Sequence, residues 1–143
     1  MPLVGGGGSP NVAGSNPAGT GTSLNYIGEH AYGFSGTGNA GTGGDFTAFD
    51  FTSAANSYIR AKMYITYDAE DLGAGEQFGY IVSVDGTNIF FTRREASAAD
   101  IVDNPLPHKV EFLIPPQSRI IVTGFSNGSG VDLSFVLTGR VYA

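Results

Sequence analysis

The chain has 143 residues, 41% of them hydrophobic and only 14% charged, with 22 glycines, no cysteine and a net charge of −6. That length fits one domain with a real core. The missing cysteines rule out disulfides and thiolate metal sites, and the acidic balance opposes binding to nucleic-acid phosphates or anionic lipid, whose affinity rests on clustered Lys and Arg. The seven basic residues are scattered along the sequence.

Residues 1–23 contain seven Gly, three Pro and five Ser or Thr, with no charge and no aromatic ring. Such a composition buries too little apolar surface to offset the roughly 1–2 kcal/mol of backbone entropy lost per ordered residue. It predicts an N-terminal arm, disordered when free, that extends to roughly 75–80 Å. Leu3, Val4 and Val12 are its apolar anchors for a partner's surface, joined by Leu24 as a further contact residue where the domain of residues 24–143 begins. The opening Met1–Gly5 has neither a basic region nor a secretory apolar core, and no run approaches the ~20 apolar residues of a membrane helix. The expectation is a soluble protein made in the cytoplasm, with no membrane or nucleic-acid partner.

Asn25 to Ser35 alternates and reads as one strand bulged at a glycine, with Tyr26, His30, Tyr32 and Phe34 on one face. Gly36 to Gly44 reads as a glycine-rich loop. It lacks the Gly-Lys-Ser/Thr and the following helix of a phosphate cradle. Phe46 to Thr52 is a strand with Phe49 and Phe51 on one face and Phe46 and Ala48 on the other, which points to an apolar contact beyond a single core. In Tyr58 to Tyr67, Ile59, Ala61, Met63 and Ile65 face inward while Arg60, Lys62, Tyr64 and Thr66 face outward.

The acidic stretch Asp68 to Glu76 departs from a calcium loop, because Leu72 and Gly79 stand where the fifth and twelfth ligands belong; it reads as a hairpin loop. Glu76–Val84 and Thr87–Arg93 flank Asp85-Gly86, the dipeptide of a type I′ hairpin turn. One helical turn is expected at Ser97-Ala98-Ala99-Asp100, before Pro105 and Pro107. Strands follow at Lys109–Ile114, ended by Pro115-Pro116, at Arg119–Phe125, and from Leu133 to Val141 with Leu133, Phe135, Leu137 and Val141 buried.

Eight strands joined by Gly, Pro, Asn and Asp turns predict an all-β fold, an antiparallel two-sheet β-sandwich with jelly roll as the first topology. No Gly-x-Ser-x-Gly elbow accompanies the two histidines, His30 and His108, so no catalytic residues, metal ligands or cofactor are assigned. Tyr58, Tyr64 and Tyr67 offer a patch for a sugar or a subunit, and Phe46 joins them as a candidate subunit-interface residue.

Leu24-Asn25-Tyr26-Ile27-Gly28-Glu29-His30-Ala31-Tyr32-Gly33-Phe34-Ser35-Gly36, the Ile114-Pro115-Pro116 turn and the ending Thr138-Gly139-Arg140-Val141-Tyr142 together resemble the capsid decoration, or cement, proteins of tailed-phage heads. The resemblance spans most of residues 24–142 and does not extend residue by residue into the arm. It implies a homotrimer on the outer capsid surface of a virion, bridging neighbouring major capsid proteins; the arm is then expected to order against the shell. The alternative expectation is a glycan- or receptor-binding head-fibre or tail module.

Overall fold

The computed structural model describes residues 24–41, 44–68, 72–98, 107–128 and 130–142. Among them are nine strands and no helix: β1 (Asn25–Ile27), β2 (His30–Ala40), β3 (Phe46–Thr52), β4 (Tyr58–Asp68), β5 (Gln77–Val84), β6 (Thr87–Glu95), β7 (Lys109–Ile114), β8 (Arg119–Ser126) and β9 (Val131–Tyr142). They form two antiparallel sheets, a five-stranded one ordered β1-β2-β9-β4-β7 and a four-stranded one ordered β3-β8-β5-β6. Within this order β2 pairs with β9, β3 with β8, β4 with β7 and β5 with β6. These four pairings nest about one point, the Asp85-Gly86 turn. The arm and its anchors Leu3, Val4 and Val12 lie outside the described residues, as do Ala99 and Asp100 of the helical turn expected at Ser97–Asp100.

Asp85 and Gly86 take φ of 49° and 81°. Two successive positive values make the primed turn whose twist matches the strands it joins. Aspartate tolerates this conformation because its side chain has local work: Asp85 Oδ1 accepts the Arg119 N–H at 2.7 Å, and the Asp85 N–H donates to the Arg119 carbonyl at 2.9 Å. The hairpin is thereby tied to β8. Beside that contact Arg119 grips Asp50 of β3 as a fork, Nε donating to Oδ1 at 2.9 Å and Nη2 to Oδ2 at 2.8 Å.

The fork holds the Asp50 carboxyl below its ordinary value of 3.8, first through the hydrogen bond and further through the guanidinium charge. A carboxylate depressed in the folded state stabilises fully above its unfolded pKa, and that contribution is lost as pH falls through the folded value. Asp50→Asn is therefore expected to lower the melting temperature by a few degrees or less at pH 7, and the deficit is expected to shrink as pH falls through the depressed pKa of Asp50. A melting deficit that stays the same from neutral to acid pH would show that the pair contributes no charge stabilisation.

Three expectations are corrected by local chain geometry. Asn25–Ser35 is two strands, because Gly28 at φ 60° lets the chain reverse and pairs Ile27 with His30. Tyr26 thus joins Ala31 on the inner face while Tyr32 and Phe34 point outward. The strands among the described residues number nine, not eight, for this reason. Secondly, much of the glycine-rich loop is strand: β2 runs on through Gly36 to Ala40 after a bulge between Phe34 and Thr37. Thirdly, β3 has one apolar face. A bulge between Thr47 and Phe49 inserts an extra residue, so Phe46, paired with Gly124, and Phe49, paired with Val122, fall on the same inner side.

The core lies between the sheets. Tyr80, Phe49, Phe78 and Phe135 are its largest wholly buried side chains. Tyr80 stacks on Phe90 at 5.7 Å and meets Phe135 edge-on at 5.8 Å, and burial pushes its hydroxyl up to about 12. At one end, Ser53 and Ser118 are buried and close a small network around Pro115-Pro116. Ser53 Oγ donates to the Pro115 carbonyl at 2.5 Å and accepts the Ser118 N–H at 2.9 Å. Among the described residues no buried side-chain nitrogen or oxygen is left without a partner, as a well-formed interior requires.

Candidate interaction surface

Alternation along β4 buries Ile59, Ala61, Met63 and Ile65 and exposes Arg60, Lys62, Tyr64 and Thr66. The same parity turns Tyr67 inward, where it packs on Phe78 at 5.1 Å and on His108 at 6.3 Å. Tyr67 therefore does not share a patch with Tyr58 and Tyr64. Phe46 is half-buried against the core, 6.4 Å from Phe135, and its ring covers the backbone at Gly38. Leu24 is wholly buried, so it belongs to the domain interior instead of anchoring an arm to a shell. Of the candidates within the described residues, Tyr58 and Tyr64 stand on an open surface, 38% and 44% exposed.

That surface is the outer face of the five-stranded sheet, and strand register lays it out in rows. His30, Arg140, Arg60 and Leu113 lie across β2, β9, β4 and β7; the next row is Tyr32, Thr138, Lys62 and Glu111; the next is Phe34, Val136, Tyr64 and Lys109. Beyond the bulge come Thr37, Ser134 and Thr66, then Asn39, Asp132 and Asp68. At the opposite end Tyr58 stacks on Tyr142, 5.0 Å between ring centres. The face thus runs from cationic and aromatic, through apolar, to hydroxylic and acidic.

Two distributions single it out. Among the described residues, eight large apolar side chains are substantially exposed, and six of them are on this face: Tyr32, Phe34, Tyr58, Tyr64, Leu113 and Val136. The other two, Ile89 and Phe91, are on β6. Four of the chain's seven basic residues are here as well, Arg60, Lys62, Lys109 and Arg140. Folding gathers what is scattered in sequence.

Arg60 and Arg140 are directly opposed on neighbouring strands, an arrangement that costs stability between like charges. Part of the cost is offset. Arg140 reaches Glu29 at 3.3 Å and lies over the Tyr142 ring at 5.5 Å. Lys109 and Lys62 converge on Glu111 at 3.1 and 3.9 Å. The Lys109 hydrogen bond, with the charges of both lysines behind it, holds the Glu111 carboxyl below the usual carboxylate range. Between these groups runs a furrow of about 470 Å³, with Thr138 at its floor, His30 and Tyr32 on one side and Arg60 and Lys62 on the other.

His30 and His108 are both exposed, but His30 shares a row with Arg60 while the His108 carbonyl is bonded to Ile65, five residues further along β4, roughly 17 Å at the rise of a strand. Among the described residues no group of three or more His, Asp or Glu is placed to hold a metal, and no helix is long and apolar enough to cross a membrane. In the acidic loop, Glu76 accepts the Gly73 N–H at 2.7 Å, while Ala69, Glu70 and Asp71 lie outside the described residues.

Tyr32, Phe34, Leu113 and Val136 were not singled out by sequence. The signal for Val136 was present, since burial of Leu133, Phe135 and Leu137 leaves it facing out. Tyr32 and Phe34 were on a recognised strand, yet which face met the core depended on the turn at Gly28. Comparison with protein-family models, curated proteins and solved structures finds no match to this chain.

Proposed function

We propose that this protein is a structural component of a tailed-phage virion, decorating the outer capsid and bridging major capsid proteins, with the sandwich associating through the outer face of its five-stranded sheet. The observation that carries the binding role is the concentration of six of the eight exposed large apolar side chains on that one face. Contiguous apolar surface rimmed by charge marks an interaction site. The capsid setting rests on the resemblance of the Leu24–Gly36, Ile114–Pro116 and Thr138–Tyr142 segments, and the nested pairing about Asp85-Gly86 supports it by fold-level analogy. We read that pairing as a long hairpin wound into two Greek keys, a jelly roll, an architecture that serves viral capsid domains and lectins alike. Many copies on one shell gain strength from high effective concentration, so each contact need be only weak.

Residues 1–23, uncharged and glycine-rich in sequence, are the second grip in this reading, a composition suited to folding on a partner's surface. Deleting residues 2–22 is expected to reduce occupancy on decoration-free heads at least tenfold at limiting protein, measured by quantitative gel analysis of purified particles. Occupancy unchanged by the deletion would remove the arm from the mechanism, and no occupancy by the full chain would end the capsid reading. A second reading, a module for anionic glycans, is favoured by the furrow in which Arg60, Arg140 and Lys62 stand beside Tyr32 and Tyr142. Guanidinium forks suit carboxylates and flat rings suit sugars. Retention of carboxylated oligosaccharides on an array supports it, and a blank array retires it.

A further inference from the structure

The geometry points to a second copy of this chain as the occupant of the outer face of the five-stranded sheet, in a two-fold pair whose strands run antiparallel to each other across the interface. The inference rests on the reading of that face as the association surface and goes further in naming the partner and the symmetry. Size comes first. Its five strands, of 3, 11, 12, 11 and 6 residues, at ~3.3 Å rise and ~4.8 Å spacing give a face of roughly 700 Å², within the about 600–1,000 Å² that one partner contributes to a standard stable interface.

Charge then selects the axis. A face packed on its own copy has two simple two-fold axes in the interface plane, one along the strands and one across them. With the axis along the strands, Arg60 and Arg140 would meet the same arginines of the other copy. With the axis across the strands and between the Thr138 and Val136 rows, Arg140 and Arg60 fall over the partner subunit's Ser134 and Thr66, one row short of the partner subunit's Asp132 and Asp68. Only the second choice keeps the arginines of the two copies apart and toward the acidic end.

An axis passing between the Thr138 row and the Val136 row also matches the middle of the face. It lays Tyr32 over the partner subunit's Phe34, Lys62 over the partner subunit's Tyr64 and Glu111 over the partner subunit's Lys109. These are an aromatic pair, a cation over a ring and an ion pair, each repeated by symmetry. Sheets packed face to face cross at about 30°, so the match is closest near the axis on β9 and loosens toward the corners. A flat face shared with itself closes at two copies. The trimer that the capsid resemblance implies would require this face to meet a different surface of its neighbour.

The chain has no cysteine, so a covalent test has no background. The full-length protein is expected to have twice its 14.8 kDa mass by light scattering at about 100 μM, and the Val136→Cys/Thr138→Cys variant is expected to cross-link to dimer on mild oxidation. Phe34→Asp, at an exposed site that faces the partner subunit's Tyr32, is expected to raise the dimer dissociation constant at least ~30-fold without moving the melting temperature of the monomer. A monomer at that concentration, a trimer, or a dimer that neither cross-links nor responds to Phe34→Asp would overturn the proposal. Heads occupied by a protein that is monomeric or trimeric would leave the capsid reading standing and remove this one. A cross-linked dimer that leaves heads bare would do the reverse.

Discussion

Phe135→Ala is expected to destabilise the fold by about 3–5 kcal/mol, read as a lower urea midpoint at unchanged slope. Phe135 is wholly buried on β9, the central strand of the five-stranded sheet, so its neighbours are fixed on both sides. Its ring meets Tyr80 edge-on at 5.8 Å and approaches Phe46 at 6.4 Å, which makes it the bridge between a core residue of β5 and the residue that covers Gly38. The Phe135 N–H donates at 2.9 Å to Ser35 Oγ at the β2 bulge, and alanine keeps that bond. The predicted loss is therefore packing alone: the transferred ring plus a cavity that two hydrogen-bonded strands cannot close. Single domains are stable by only 5–15 kcal/mol, so the variant is expected to fold but to melt well below the parent. Phe135→Leu, which keeps most of the volume, is expected to cost about 1.5 kcal/mol or less. A cost under 1 kcal/mol for alanine would mean that this ring does not hold the two sheets together.

The same strand illustrates how far sequence alone reaches. Period-two alternation in Tyr58–Tyr67 and in Leu133–Leu137 assigns inside and outside correctly, because nothing interrupts either strand and each has one face in the core. Asp85-Gly86 is equally legible, being a local device whose positive φ values need no distant partner. Where a single residue shifts the pleat, the pattern misleads. The extra residue at Ala48 makes β3 look apolar on both faces, and the reversal at Gly28 moves Tyr26 to the opposite face from Tyr32.

Lateral neighbours are a different matter. His30, Arg140 and Arg60 form one row although 80 residues separate the last two in sequence, and no local signal announces that register. Charge that reads as scattered therefore becomes a cationic end. The interaction surface was visible strand by strand, in Tyr58 and Tyr64, and invisible as a surface. Tyr67, adjacent to them in the sequence pattern, failed only because odd and even positions on a strand cannot share a face.

Gly79→Ala is expected to be the most damaging single-methyl change in the chain, at about 3 kcal/mol, although alanine suits a strand better than glycine does. Gly79 lies in β5 with a backbone conformation open to any residue, so conformational freedom is not the reason for it. The reason is space. A Cβ at this position would overlap the Thr92 carbonyl oxygen of β6 and come within 2.9 Å of the Phe125 ring. Phe125, the β8 partner of Gly79, lies over the bare backbone and stacks on Phe91 at 5.7 Å with the rings 7° from parallel. An aromatic ring on a neighbouring strand often shields a glycine in this way.

Adding the methyl group forces two responses at once: the β6 backbone must move, breaking ladder geometry at the Gly79–Arg93 pair, and Phe125 must lift from Phe91. Gly128→Ala provides the control, because the hard overlap there is with the carboxylate end of Glu76, which can swing away at the loss of its Gly73 N–H bond, leaving only Glu76 Cβ at 3.0 Å. Its cost is expected to be about 1 kcal/mol or less. Urea unfolding of the two variants followed by far-UV circular dichroism is the comparison to make. If both lose the same amount, the crowding at Gly79 is absorbed as readily as at Gly128, and the close approach of β5 to β6 is no constraint on the fold.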